Sequence, residues 1–253
     1  MNALQKMYEK DGFLIVQSGL PESDLDAARD AHGPLQPAEY HYNPQGKRVF
    51  EAWKTSQAVR DIAYAPAILA HLRELFGEEP RPNQTINFDR GSNQPLHQDG
   101  IHFQTWPSQG GMVGVWVALE DMDGDNGPLC YVPGSHKMGF KGWQALGFQQ
   151  CKVGEQFAQY HLYEKWAEAV GKARGGKHPF LCQKGEAFIW GLDLLHGGWP
   201  VKDPARTRHS QVTHYQFPSA KRGYAPMFSD TAGGGWHWKK MRWFDVAGNR
   251  SAS

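Results

Sequence analysis

The chain has 253 residues, with 27 basic and 26 acidic side chains and a formal net charge of +1. That length holds one large domain or at most two small ones, and the cancelling charge gives no footprint for nucleic acid or an anionic membrane. Three scattered cysteines, Cys130, Cys151 and Cys182, without CxxC spacing, argue against a disulfide framework or a thiolate zinc site and for a reducing, cytoplasmic setting.

At the start, Met1-Asn2-Ala3-Leu4-Gln5-Lys6 shows no basic region followed by an apolar one, so no secretory leader is read there. Asp11-Gly12 is a turn feeding a short strand over 13–16. Ser23 is placed to cap a helix running to about residue 32, with Asp24 and Asp26 in its first turn. Residues 33–47 are polar and proline-rich and read as loop. A second helix is predicted over 66–76, where Ile68, Leu69, Leu72, Leu75 and Phe76 fall at helical spacing, and it stops at Gly77.

From residue 85 the texture changes to short alternating strands: 85–88, 112–119, 129–132 ending at Pro133-Gly134, 187–190 after the turn Lys184-Gly185-Glu186, and 208–215. The apolar run at 112–119 is too short to span a bilayer. Strands after an initial helical layer, with 29 glycines and ten tryptophans, predict a β sandwich or barrel. The tryptophans serve either a core or an aromatic-lined cavity. Residues 139–179 interrupt the strands with a helix over 159–173, where Leu162, Trp166, Ala169 and Val170 share one side. This insertion is either a lid or a patch on the outside of the barrel. No repeat or linker divides residues 1–253, so one domain is expected.

The chemistry centres on Leu96-His97-Gln98-Asp99-Gly100. In an extended segment, side chains two apart share a face, so His97 and Asp99 converge on one point. Imidazole and carboxylate with positions left open are the ligands of a non-haem Fe(II) oxygenase, completed by a second histidine. His196 is favoured for that place. It follows the strand at 187–190 and precedes Gly197-Gly198, which let backbone or ligand come close. Twelve residues on, Arg208-His209-Ser210 offers a guanidinium and a hydroxyl on one strand face, a grip for a carboxylate. Arg206, in the turn after Asp203-Pro204-Ala205, is the competing arginine. A zinc hydrolase can use the same His/Asp/His set but leaves Arg208-His209-Ser210 without a role. A third possibility is a binding protein that kept the fold and lost the chemistry.

Taken together, these motifs resemble the phytanoyl-CoA dioxygenase (PhyH) family of Fe(II)- and 2-oxoglutarate-dependent oxygenases. The resemblance runs from Lys10-Asp11-Gly12-Phe13-Leu14-Ile15-Val16 through His97-Gln98-Asp99, Val115-Trp116-Val117-Ala118-Leu119-Glu120-Asp121 and Asn126-Gly127-Pro128. It continues through Pro133-Gly134-Ser135-His136-Lys137, the most specific piece, to Lys184-Gly185-Glu186, His196 and Arg208-His209-Ser210. It implies a double-stranded β-helix, a jelly-roll sandwich of cupin type with flanking helices. It implies that His97, Asp99 and His196 hold the iron, and that Arg208, helped by Ser210, binds the distal carboxylate of 2-oxoglutarate. Trp116 and, less directly, Asn87 are further cosubstrate contacts, Asn87 having a plain strand hydrogen bond as its alternative. His136 is read as structural.

The implied reaction consumes O2 and 2-oxoglutarate, releases succinate and CO2, and hydroxylates a C–H bond. Asp99 fills the position that related halogenases leave vacant, and desaturation or cyclisation are the alternative outcomes. Candidate substrate residues are Gln84, His102, Phe103, Gln104, Trp106 and Trp199, each with packing as the alternative role. A small polar metabolite is favoured over an acyl-CoA. The tail after Phe217 covers either the site or the sheet.

Overall fold

Alternation in the strand sequences sorts side chains onto two faces, and the fold follows from what each face needs to bury. The structure is a computed structural model and describes residues 1–31, 42–103, 105–106, 110–139, 141, 146, 156–224, 237–239 and 242–252. In chain order the elements begin with α1 (Ala3–Asp11), β1 (Phe13–Gln17), α2 (Glu22–Asp30), β2 (Arg48–Phe50), α3 (Gln57–Ala63), α4 (Pro66–Phe76) and β3 (Arg81–Phe88). Next come β4 (Thr105–Trp106), β5 (Met112–Ala118), β6 (Leu129–Tyr131), α5 (Gln156–Ala173), β7 (His178–Pro179), β8 (Glu186–Gly191), β9 (His196–Gly198) and β10 (Ser210–Gln216). The chain closes with β11 (Lys221–Tyr224), β12 (His237–Lys239), β13 (Arg242–Phe244) and β14 (Arg250–Ala252).

Six strands form the major sheet in the order β1-β8-β5-β10-β3-β2, with antiparallel pairing throughout. A minor sheet, β7-β6-β9, lies opposite. On β5 the odd positions Val113, Val115 and Val117 turn outward. They join Ala187, Ile189 and Tyr215 in a core covered by Leu25 of α2, Ile62 of α3 and Ile68, Leu69, Leu72 and Leu75 of α4. The even positions turn inward, and Trp116, Phe188, Trp190 and Val212 meet Leu129 and Phe180 from the minor-sheet side. Both faces of the central strands are therefore buried, each fully buried aliphatic side chain contributing about 1.5–3 kcal/mol. This is a jelly-roll sandwich with α1–α4 on the outer face of the major sheet and α5 against the minor-sheet side.

Several local features depart from the expected pattern. Helix α2 starts at Glu22, and the extended residue before it is Pro21, whose φ of −64° and ψ of 153° supply the flank without a side-chain cap. Ser23 lies inside the first turn and bonds Asp24 instead. Two helices carry N-terminal signals that the apolar-period reading passes over. Asn2 and Gln5 form a reciprocal capping box at α1, and the Ser56 hydroxyl caps α3 by accepting from the Val59 amide. The expected helix over 159–173 is α5, which starts three residues earlier. In the tail, Phe244 stacks on Trp53 at 4.3 Å and Arg81 lies 4.2 Å over Trp243, so β13 covers the sheet. Trp236 lies outside the described residues. Among the described residues no helix is long and apolar enough to cross a membrane.

Candidate metal and cosubstrate site

His97 and His196 are brought together by backbone. They form an antiparallel bridge in which each amide donates to the other's carbonyl, at 2.9 and 3.0 Å. On its other side His196 pairs with Tyr131 of β6. The bridge needs the two segments to run close, and Gly197 and Gly198 make that possible. A Cβ on Gly197 would sit 2.7 Å from the Gln94 carbonyl oxygen, and one on Gly198 would sit 2.4 Å from Ser92 Oγ. Ser135, from the Pro133-Gly134-Ser135-His136-Lys137 turn, accepts the Leu195 amide at 2.9 Å and so fixes the approach to His196. His136 itself bonds the Glu9 carbonyl, away from the site.

Gln98 is extended (φ −102°, ψ 133°) and Asp99 opens a short 3-10 turn, so His97 and Asp99 point the same way. The ligand atoms of His97, Asp99 and His196 all lie within 4.8 Å of one another, and all three residues are buried. Asp99 Oδ1 is 3.7 Å from His97 Nε2 and 3.6 Å from His196 Nε2. Both Nδ1 atoms face backbone carbonyls, His97 to Pro95 at 2.9 Å and His196 to Leu194 at 3.0 Å. With the Nδ1 protons donated there, both Nε2 lone pairs are turned towards Asp99 Oδ1. Burial, followed by the charge of His196, pushes the His97 imidazole down to about 3, so it is neutral at any pH near 7. Burial alone would raise the Asp99 carboxyl. The neighbouring imidazoles, His196 foremost, outweigh it and hold the carboxyl well below the usual range.

The second carboxylate oxygen of Asp99 has its own partners. Trp190 Nε1 donates to Oδ2 at 2.9 Å, and His214 Nε2 lies 3.5 Å from the same atom. Trp190, Gly114 and His214 are register neighbours on β8, β5 and β10. The middle position has to be glycine, because a Cβ on Gly114 would lie 2.3 Å from the Trp190 ring. Gly114→Ala is therefore expected to displace the indole, break its bond to Asp99 and cost about 1–3 kcal/mol. At roughly 2–4 °C per kcal/mol in a chain this size, thermal melting should record a drop of several degrees.

Arg208 is 2 % exposed. Its Nη1 donates to Ser210 Oγ at 2.5 Å, its Nε donates to the Gly127 carbonyl at 3.2 Å, and its Cζ lies 5.1 Å from the Phe88 ring centre and 5.8 Å from that of Trp116. Arg206 is on the surface, bonded to Asp123 at 2.5 Å. The geometry thus separates the two arginines by environment.

A cavity of about 360 Å³ joins these groups, and its lining includes Gln84, His102, Phe103 and Trp116 as well as the three converging residues and Arg208. His102 bonds Tyr160 of α5 at 3.1 Å, and Phe103 packs on His214 at 4.7 Å between ring centres. Two expected residues are elsewhere. Asn87 has the opposite parity to Gln84, Ile86 and Phe88 on β3 and instead bonds Gln211 at 3.2 Å, so it faces away from the cavity. Trp199 packs with Leu96, Val132 and Ala167 beneath α5 rather than lining the cavity. Gln104 and the side chain of Trp106 lie outside the described residues. His214 went unnoticed in the sequence although a signal exists, since period-two spacing puts it on the same face as Arg208 and Ser210. Trp190 and Gln94, whose amide nitrogen is 3.3 Å from His97 Nε2, carry no comparable signal.

The model of the family described as phytanoyl-CoA dioxygenase (PhyH) matches residues 8–210 of this chain. The chain belongs to the PhyH family. Among relatives, human peroxisomal phytanoyl-CoA dioxygenase is 23% identical over 227 residues, covering 76% of this chain and 62% of its own length. The ectoine dioxygenase of Nocardia farcinica is 35% identical over 170 residues, covering 60% and 53%. The chain thus spans less than two thirds of these relatives. The fold of this PhyH-family chain is also that of a non-haem, α-ketoglutarate-dependent carbocyclase, SnoK, from nogalamycin biosynthesis, with a TM-score of 0.66, 16% identity and 91% and 88% of the two chains covered.

Proposed function

We propose that this PhyH-family protein is an Fe(II)- and 2-oxoglutarate-dependent dioxygenase that hydroxylates an unactivated C–H bond of a small-molecule metabolite, with release of succinate and CO2. One observation carries the reading: a buried His97/Asp99/His196 cluster and the buried Arg208 line one cavity. The donor set fits ferrous iron, since two imidazoles and one carboxylate leave half of an octahedral shell for other ligands. Iron with 2-oxoglutarate supplies the O2-dependent oxidising power.

The protein's own residues do the rest. Arg208, oriented by Ser210, holds the distal carboxylate of 2-oxoglutarate, and Trp116 forms the wall beside it. Ile86, Phe88, Leu129, Trp190 and Val212 keep that part of the cavity apolar and exclude water. Gln84, His102 and Phe103 are placed to contact the organic substrate, in a space sized for a metabolite. The whole unit acts as a single domain. A cytoplasmic setting suits the buried free thiols of Cys130 and Cys182.

The test is anaerobic addition of Fe(II) and then 2-oxoglutarate to metal-free protein. A visible charge-transfer band is expected, followed by succinate release once O2 and substrate are admitted. A well-folded protein that never develops the band overturns the cosubstrate assignment and favours a hydrolytic or non-catalytic role.

A further inference from the structure

Among the described residues, the segment carrying His97 is paired on one side only. Residue 97 uses its own amide and carbonyl in the bridge to His196, so the amides of residues 96 and 98 point away from the minor sheet. An edge of this kind normally needs another strand or water. Here two side chains of α5 take the strand's place. Glu168 Oε1 accepts the Leu96 amide at 3.0 Å, and the Tyr163 hydroxyl accepts the Gln98 amide at 3.0 Å.

The contacts are specific rather than general packing. Tyr163 is fully buried and packs against Ile101, in the turn that Asp99 opens. Gly171, two turns along the same helix face, lies so close to Leu96 that a Cβ there would sit 2.5 Å from its Cδ1. The Gln98 side chain closes the arrangement from the other end of the insertion. It donates to the carbonyls of Gly139 and Asp193 and accepts the Lys141 amide. Both amides flanking His97 thus hang on α5, and the amide between the two ligands hangs on Tyr163.

We infer that Tyr163 and Glu168 are positioning residues for the metal, and that the insertion bearing α5 is a strut for the His97–Asp99 segment. The inference rests on reading His97, Asp99 and His196 as the metal site. Tyr163→Phe keeps the ring and removes the hydroxyl, leaving the buried Gln98 amide without its acceptor. Outer partners of metal ligands typically carry roughly 10- to 100-fold in affinity.

The experiment is Mn(II) titration of metal-free protein, followed by loss of the free-ion EPR signal, with thermal melting of each metal-free variant alongside. Ala169→Gly, at an exposed position of α5, weakens the helix without touching the segment. Tyr163→Phe is expected to bind Mn(II) about tenfold or more weakly, while Ala169→Gly stays within about twofold of wild type. Equal weakening in both variants, or none in Tyr163→Phe, overturns the inference and leaves α5 as ordinary packing. Should Tyr163→Phe fail to fold, Glu168→Ala, at a part-exposed site, is read by the same criterion. Wild-type protein that takes up no Mn(II) overturns the triad reading itself, and this inference with it.

Discussion

Asp99→Ala is expected to give a folded protein that binds metal weakly and releases no succinate. Asp99 lies at the meeting point of both imidazoles, with Oδ1 3.6–3.7 Å from each Nε2, and it is the one carboxylate in the converging set. Outer partners of metal ligands alone carry roughly 10–100-fold in affinity, so loss of the ligand should exceed about a hundredfold. The fold should survive, because a buried charge is removed rather than stranded and the two bridged histidines stay paired through backbone. Metal titration, succinate assay and circular dichroism would be measured together. Full activity in this variant would remove Asp99 from the metal site.

Arg208→Ala should act on the cosubstrate instead, with metal binding retained. Truncating one partner of a buried, hydrogen-bonded charge pair typically costs 2–5 kcal/mol. At 1.4 kcal/mol per tenfold, the apparent Kd for 2-oxoglutarate should rise by about 30-fold or more. Arg206→Ala is the matched control, because its pair with Asp123 is on the surface, where such pairs contribute about 0–1 kcal/mol. The anaerobic charge-transfer band at graded 2-oxoglutarate reads both variants. If Arg206→Ala were the one that weakened the band, the assignment of the carboxylate grip would pass to the turn.

Much of the site was legible because its parts are local. His97 and Asp99 are two residues apart in a segment that is extended up to Gln98, so spacing alone aims both inward. Arg208 and Ser210 are likewise two apart, and the structure joins them by a hydrogen bond. Parity also misled: Asn87 lies next to Phe88 on the same strand, but only the even positions 84, 86 and 88 face the cavity. A single residue's parity on a buried strand cannot be read when neither face is solvated, and β3 is mostly buried on both. Trp199 went astray for a different reason. Its nearness to His196 in sequence says nothing of direction after β9, and the chain turns it under α5. What sequence could not carry at all are the long-range bonds, Trp190 to Asp99 over Gly114 and Tyr163 to Gln98, which join residues 91 and 65 positions apart.

The backbone bridge between His97 and His196 has a bearing on how the protein is loaded. Many small metal sites exist only in the holo state, since their ligands scatter when the ion leaves and binding is folding. Here the two imidazoles hang from residues that hydrogen-bond to each other directly, inside a sheet whose stability comes from its cores. Their separation is set when the chain folds, and the ion meets donors already in place. Little reorganisation then accompanies capture or release, so the apo protein should remain a durable, exchangeable receptor, filled according to which divalent ion the surroundings supply.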